Sequence, residues 1–479
     1  MPTGSPMDAQ TLLLVRRATY GPTPALLAEA QGLGRAAWLD RQLKPETIKD
    51  SYVEGILQRF PRVNWSISRI RSEYAKSFGS WDVMVQLTRA TMVRAIWSER
   101  QLFELMVEFW SNHLNVTCPS SDVWDSRADY DRVVRRHALG RFADLLVAAS
   151  LHPAMQSYLD NASSTKDHPN ENQGRELLEL HTVGIGAGYS EEDVKNSARI
   201  LTGLGTDGSG EATYRAGRHW VGPVQVLGFT SANNTAAGGK DVAVAYLTYL
   251  SRHENTARQL ATKLCLRFVG DSPPEALVAR LASVYLANDT AIVPVLRELF
   301  GSNEFAASTG QKVRRPYEDL VATLRILGVK PDVKGIEGIE NLHWMILDMG
   351  HSPLYWGPPN GYPDVATAWQ SPAGTLARWN SHLNIADRWW PTTLTGPDLG
   401  TLIPRPRPAT HGALIDALSE RLLQQKATKV QQVAICEFLT DEWHKITPST
   451  PVTKDSYAIG GRLPYVVGLL LDSPAHALR

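Results

Sequence analysis

Apolar residues recur at helical spacing through most of this chain, and no other pattern competes with it over so many positions. Across 83–114, Leu87, Met92, Ile96, Phe103, Met106 and Trp110 keep roughly the period of one helix face. The same reading applies to 130–149, 242–250, 255–268, 274–286, 316–327, 413–423 and 430–444. A chain that is amphipathic in so many separate stretches must bury helix faces against other helices, which predicts a mainly α fold. Helix starts are written in as well. Ser190-Glu191-Glu192-Asp193 reads as a capping box, and Ser272-Pro273-Pro274-Glu275 places prolines in a first turn, where no amide donor is missed.

Strand signal is confined to 211–230, where Thr213-Tyr214, His219-Trp220 and Val224–Leu227 alternate with Gly217, Gly222 and Pro223. The expected architecture is a large, bundle-like helical body with a short β-hairpin or irregular insertion. Its segments are an N-terminal helical half (8–207), the insertion (208–238), a second helical half with an aromatic Pro/Gly loop (239–395) and a C-terminal helical segment (396–479). The prolines at 391–410 can equally lie on the surface of one continuous body.

Composition removes several classes of function. With 49 Lys+Arg against 49 Asp+Glu, the chain lacks the basic excess that nucleic-acid binding needs. An apolar fraction of 43% supports a real core. Cys118, Cys265 and Cys436 are far apart and form no metal-type cluster, so neither a zinc knuckle nor a disulfide framework is expected. No apolar run reaches membrane-spanning length. The first apolar run is too short, and precedes Arg16-Arg17 rather than following them, so it does not read as a signal peptide. As written the chain reads as cytoplasmic, or as exported if a leader has been removed.

Chemistry-bearing residues concentrate in five places. In 104–113, Glu104, Glu108 and Asn112 share a helix face, whereas Glu108 and His113 stand about 140° apart and cannot form a zinc pair from one helix. His113 ends a Trp-bearing apolar helix and needs a partner, either a backbone carbonyl in a core or a group in proton transfer. The densest polar cluster runs from Asp160-Asn161 to His181. There Asn170 suits a helix N-cap, and Glu171, Arg175 and Glu179 follow at i, i+4 steps, either as a solvated ladder or as a partly buried acid/base network. The segment Arg215–Pro223, with His219 and Trp220, reads as a ring- or anion-binding lip or as an ordinary hairpin tip. Lys263 and Arg267 lie one turn apart, as surface charges or as counter-charges to the ladder. Finally, 356–380 carries Trp356, Asn360, Tyr362, Asp364, Trp369 and Trp379 among turn residues, suited to stacking on sugar or aromatic rings if exposed. Walker, dinucleotide, nucleophile-elbow and kinase motifs are absent.

Several of these segments carry a resemblance. Phe109-Trp110-Ser111-Asn112-His113, Tyr158-Leu159-Asp160-Asn161 and Pro169-Asn170-Glu171-Asn172-Gln173-Gly174-Arg175-Glu176 closely resemble a bacterial family of uncharacterised proteins, domain-of-unknown-function family 1800. The likeness continues through Ala198-Arg199 to Thr202-Gly203, Lys263 to Arg267-Phe268, Arg315-Pro316 and Pro358-Pro359-Asn360-Gly361-Tyr362-Pro363, and so runs nearly the length of the chain. This sequence has Gly174 where alanine is common in the family, His351 for a glutamine and Tyr362 for a tryptophan. The resemblance implies exported bacterial proteins, often encoded beside a sulfatase- or phosphatase-like partner, and implies no general reaction.

The residues together predict an enzyme with a Glu/Arg/His polar centre between helices, acting on a small-molecule or glycan-like substrate. The expected catalytic groups are Glu171, Arg175, Glu179 and His113. Asn172, His219, Trp220, Lys263, Asn360 and Trp369 are expected to bind substrate. A metal ion is a candidate cofactor, with His113, Asp160, Glu171 and His219 as its mixed N/O ligands in a metal-dependent oxidoreductase. The contrasting expectation is a non-catalytic scaffold whose polar cluster fixes helix register and which works with a protein partner.

Overall fold

The capping box at Ser190 is intact. Its hydroxyl accepts from the Asp193 amide at 3.2 Å and the Asp193 carboxylate accepts from the Ser190 amide at 2.7 Å, opening helix Glu191–Leu201. Such local rules build most of the molecule. The computed structural model describes residues 7–74, 78–396 and 398–479, is about 60% helical and contains two small antiparallel sheets. The fold is therefore mainly α with a small β insertion.

The long periodic runs are cut where the chain meets a better hydrogen-bond partner. Residues 83–114 form two helices, Phe78–Trp97 and Gln101–His113, because Asp50 reaches into the junction. Its carboxylate accepts from the Ser98 hydroxyl at 2.6 Å and from the Glu99 amide at 3.0 Å. Residues 130–149 likewise split into Arg127–His137 and Phe142–Ser150, with Gly140 between them. Two expectations are corrected. Pro274 is the N-cap of helix Glu275–Ala287, so the prolines precede the first turn rather than occupy it. The run at 430–444 stops at Leu439, and Trp443 beyond it is 84% exposed. Two hairpins form here, and the first begins before the expected insertion: β1 (Leu204–Thr206) pairs with β2 (Ala212–Tyr214), and β3 (Val224–Val226) with β4 (Phe229–Ser231).

The chain forms two compact units, each assembled from segments distant in sequence. Of the described residues, the larger comprises those within 36–308 and 353–364, and the smaller those within 7–35, 309–352 and 365–479. In the larger unit Trp38, Trp110, Leu145, Leu146 and Leu247 are fully buried, and the Trp110 indole donates to the Ala138 carbonyl at 2.9 Å. Gly174 has a packing reason. A Cβ there would stand 2.8 Å from the Ala198 amide nitrogen, so the helix Glu171–Glu176 approaches Glu191–Leu201 only without a side chain at this point. In the smaller unit every residue of helix Pro316–Leu327 is buried, which makes it the central rod of that core. It packs against Pro372–Ala386, which in turn packs on Leu463–Leu471.

Candidate active site

The helix Glu171–Glu176 does not continue regularly. Residues Leu177–His181 wind as a π-turn, and the carbonyls of Leu180 and His181 are left to other partners. Three side chains supply them. His113, last residue of helix Gln101–His113, sets its Nε2 3.0 Å from the His181 carbonyl. From helix Glu254–Phe268, Gln259 donates to the Leu180 carbonyl at 3.0 Å, and the Lys263 amine donates to it at 3.3 Å. An ammonium suits this position because unpaired carbonyls at a helical C-terminus carry partial negative charge.

The π-turn thereby fixes the tautomer of His113. A carbonyl only accepts, so Nε2 carries the proton and Nδ1 is left as an acceptor. Lys263 Nζ lies 2.9 Å from Nδ1. The imidazole is 4% exposed and packs against Phe109, Trp110 and Phe142. Burial, and then the nearby Lys263 charge, hold its pKa well below the usual histidine value. Burial also brings the Lys263 amine down to about 8. His181 is lowered to about 3 by burial and by Lys263, and its Nε2 has no hydrogen-bond partner among the described residues.

This pair borders a cavity of about 330 Å³ lined by Phe109, Asn112, Trp356, Tyr362 and Asp364, among others. Its far wall is the segment 353–364, which belongs to the same unit and is held by two asparagines. Asn112 donates to the Tyr362 carbonyl at 2.8 Å and accepts from the Tyr362 amide at 2.7 Å. Asn115 donates to the carbonyls of Trp356 and Pro358 at 2.9 and 2.7 Å. Gly361 sits at φ +72°, where a Cβ would meet the Asn112 carbonyl oxygen at 2.1 Å, so only glycine brings the loop this close. Beneath the cavity Arg267, 1% exposed, pairs with Glu108 at 2.9 Å and with Asp364 at 3.7 Å.

Some sequence-expected residues converge here and others do not. His113, Lys263 and Asn360 share the cavity, and Asn360 Oδ1 accepts from the Trp356 indole at 2.8 Å. The reading of Lys263 and Arg267 as surface charges or counter-charges to the ladder is corrected: both turn inward, toward His113 and toward Glu108 with Asp364. Glu171, Arg175 and Glu179 do form a ladder, with pair distances of 3.2 and 3.8 Å. Glu191, 70% exposed, adds a third carboxylate at 2.7 Å, and its hydrogen bond is the main cause that raises the Arg175 pKa. None of the three bonds to His113. Asn172 donates to Asp160 at 3.3 Å. His219 is buried between the Thr202 carbonyl and the Asn233 amide oxygen, each at 2.8 Å, and Trp220 lies under the Arg199 guanidinium. Trp369 belongs to the smaller unit and stacks on His351 at 4.5 Å. Among the described residues, His113, Asp160, Glu171 and His219 are not gathered at metal-binding distance; the one such group is Asp319, His382 and His476.

Sequence reading separated what the fold joins. His113 and Lys263 are 150 residues apart, and the linking element is a π-turn that no periodicity announces. A larger cavity, of about 520 Å³ in the smaller unit, mixes apolar residues such as Leu12, Leu13 and Leu478 with Arg16, Arg479, threonines and glutamines, and no described histidine, lysine or acidic side chain lines it. All three cysteines are buried and free. No described helix is long and apolar enough to cross a membrane.

Comparison with known proteins agrees with the extent of the sequence likeness. No curated protein and no solved structure matches significantly. A family model described as "Protein of unknown function (DUF1800)" matches residues 13–478, essentially the whole chain. The chain therefore belongs to the DUF1800 family.

Proposed function

We propose that the chain is an enzyme whose acid/base centre is the Lys263–His113 pair, acting on a small-molecule or glycan-like substrate in the adjoining cavity. The observation that carries this reading is the Lys263 amine 2.9 Å from Nδ1 of the buried His113 on a cavity wall, where burial lowers the amine to about 8. Such an amine exists in both protonation states near neutral pH, which is what a proton-transfer group requires. His113 is the positioning partner. Its Nδ1 accepts from the ammonium, and its Nε2–H is anchored on the π-turn. Trp356 and Tyr362 supply ring surface, and Asn112 and Asp364 supply polar groups, a lining suited to a hydroxylated or aromatic compound.

In this reading Glu171, Arg175 and Glu179 tie the π-turn helix to Glu191 and do not touch the reacting atoms. Their side-chain exposures of 39, 32 and 26% support that role, since an open ladder confers little pKa separation. The test is a panel of glycosides, hydroxy acids and carbonyl compounds, screened for binding and turnover with the wild type, Lys263→Met and His113→Gln. Turnover lost in both variants, with binding kept in at least one, is the expected result. Turnover unaffected by Lys263→Met, or abolished by Arg175→Ala in a folded protein that retains the Lys263 titration, overturns the assignment.

A further inference from the structure

We propose that Asp319, His382 and His476 form a buried binding site for one divalent transition-metal ion, with zinc as the first candidate. This site lies wholly within the smaller unit and is independent of the Lys263 centre. The residues come from helices Pro316–Leu327, Pro372–Ala386 and Pro474–Ala477, and each is about 2% exposed or less. One ligand atom from each lies within 4.8 Å of the other two. Both imidazoles turn Nε2 to the same carboxylate, His382 at 2.8 Å from one oxygen and His476 at 3.3 Å from the other. The ring planes cross at 84°, so the two nitrogens converge from different directions rather than side by side. Two imidazoles and a carboxylate are a donor set for zinc, iron, manganese, cobalt or nickel, and a hard ion such as calcium would want oxygen alone.

The surroundings match those of a metal ligand. His382 Nδ1 lies 2.8 Å from Asp472, at the end of helix Leu463–Leu471. A carboxylate behind a ligating histidine fixes the ring; without an ion Nε2 donates to Asp319, and binding an ion at Nε2 would release that proton. His476 has nothing behind it: its Nδ1 is buried and has no hydrogen-bond partner among the described residues. Whatever orders that ring acts on its Nε2 side, where Asp319 and the Thr323 hydroxyl, at 3.1 Å, are found. The nearby Arg314 guanidinium donates to the His476 and Leu478 carbonyls and keeps its positive charge, and Arg378 also acts on Asp319, so the two cations offset the charge of Asp319 and Asp472 and the ion would be held by direct ligation. No cavity is lined by these residues in the pockets described above, which points to a stabilising ion that pins distant segments together.

The experiment is elemental analysis of the full chain, purified without a histidine tag or chelator, before and after incubation with zinc, manganese, iron(II), cobalt or nickel. The expected result is close to one equivalent of metal in the wild type and less than a tenth in His382→Gln and His476→Gln. Asp472→Asn should keep the ligands but lose roughly 10- to 100-fold in affinity. Stripping the wild type with chelator should lower its melting temperature, and zinc should restore it, a readout that survives if either histidine variant fails to fold. Less than a tenth of an equivalent under every loading condition, with a melting temperature indifferent to metal and chelator, overturns the proposal in favour of a hydrogen-bonded triad. So does stoichiometric metal that is lost in His113→Gln and retained in His382→Gln.

Discussion

Replacing Lys263 by methionine keeps the length and apolar stem of the side chain while removing the amine. In the wild type, burial moves that amine from 10.5 to about 8, equivalent to roughly 3 kcal/mol favouring the neutral form. At pH 7 the amine is still mostly charged, so the fold bears this cost. Against it stand two hydrogen bonds, to His113 Nδ1 and to the Leu180 carbonyl. The carbonyl keeps Gln259 when the lysine is gone, whereas Nδ1 is left without a donor, costing about 1–2 kcal/mol. The balance is a stabilisation of about 1–2 kcal/mol. It should be read as a higher urea midpoint and a melting temperature raised by roughly 1–2 °C per kcal/mol for a chain of this size. The pH dependence has a definite sign. Below pH 8 folded and unfolded chains both hold the proton, and the cost is fully present. Between about 8 and 10.5 the unfolded chain holds it and the folded chain does not, so wild-type stability rises with pH and the advantage of the variant shrinks. Melts at pH 7 and pH 9.5 test both statements. A variant destabilised by 2 kcal/mol or more at pH 7, with a gap that is independent of pH, would refute the reasoning and make Lys263 a structural strut.

Other perturbations follow from the same contacts. Arg267→Met leaves Glu108 and Asp364 without their buried cation and should cost about 3–5 kcal/mol by urea denaturation. Gly361→Ala combines a left-handed backbone position with a clash against Asn112, so a loss of about 2–3 kcal/mol is expected in the same assay. Arg175→Ala breaks a solvent-facing ladder and should change stability by no more than about 1 kcal/mol, with the titration of Lys263 unmoved. Gly174→Ala should lower the melting temperature, because its Cβ would press on the Ala198 backbone.

Much of the fold was legible because helix signals are local. The apolar rows at 255–268 and 316–327 predict helices that the structure bounds at Glu254–Phe268 and Pro316–Leu327, and the Ser190 box caps as its spacing requires. The breaks were less legible. The interruption at Ser98–Arg100 depends on Asp50, and the division at Gly140 falls inside a continuous apolar period. In the candidate site, the helix-face argument separated Glu108 from His113, and in the structure they meet different partners. The polar cluster drew attention to Glu171 through Glu179 because charges at i, i+4 are conspicuous in a sequence. Lys263 stands out with Arg267 only as one of several cations on its helix, and the sequence does not show its partner: its environment is made by a π-turn and by a histidine from another part of the chain. Asp319, His382 and His476 are isolated single letters for the same reason.

The most direct measurement is the titration of the Lys263 amine itself in the full chain, by competitive acylation across pH 6 to 11 with the modified peptide quantified by mass spectrometry. A midpoint near 8, shifted in His113→Gln while the other lysines stay in place, is the expected result. A midpoint near 10.5 that is indifferent to His113 would contradict the acid/base centre proposed for this site.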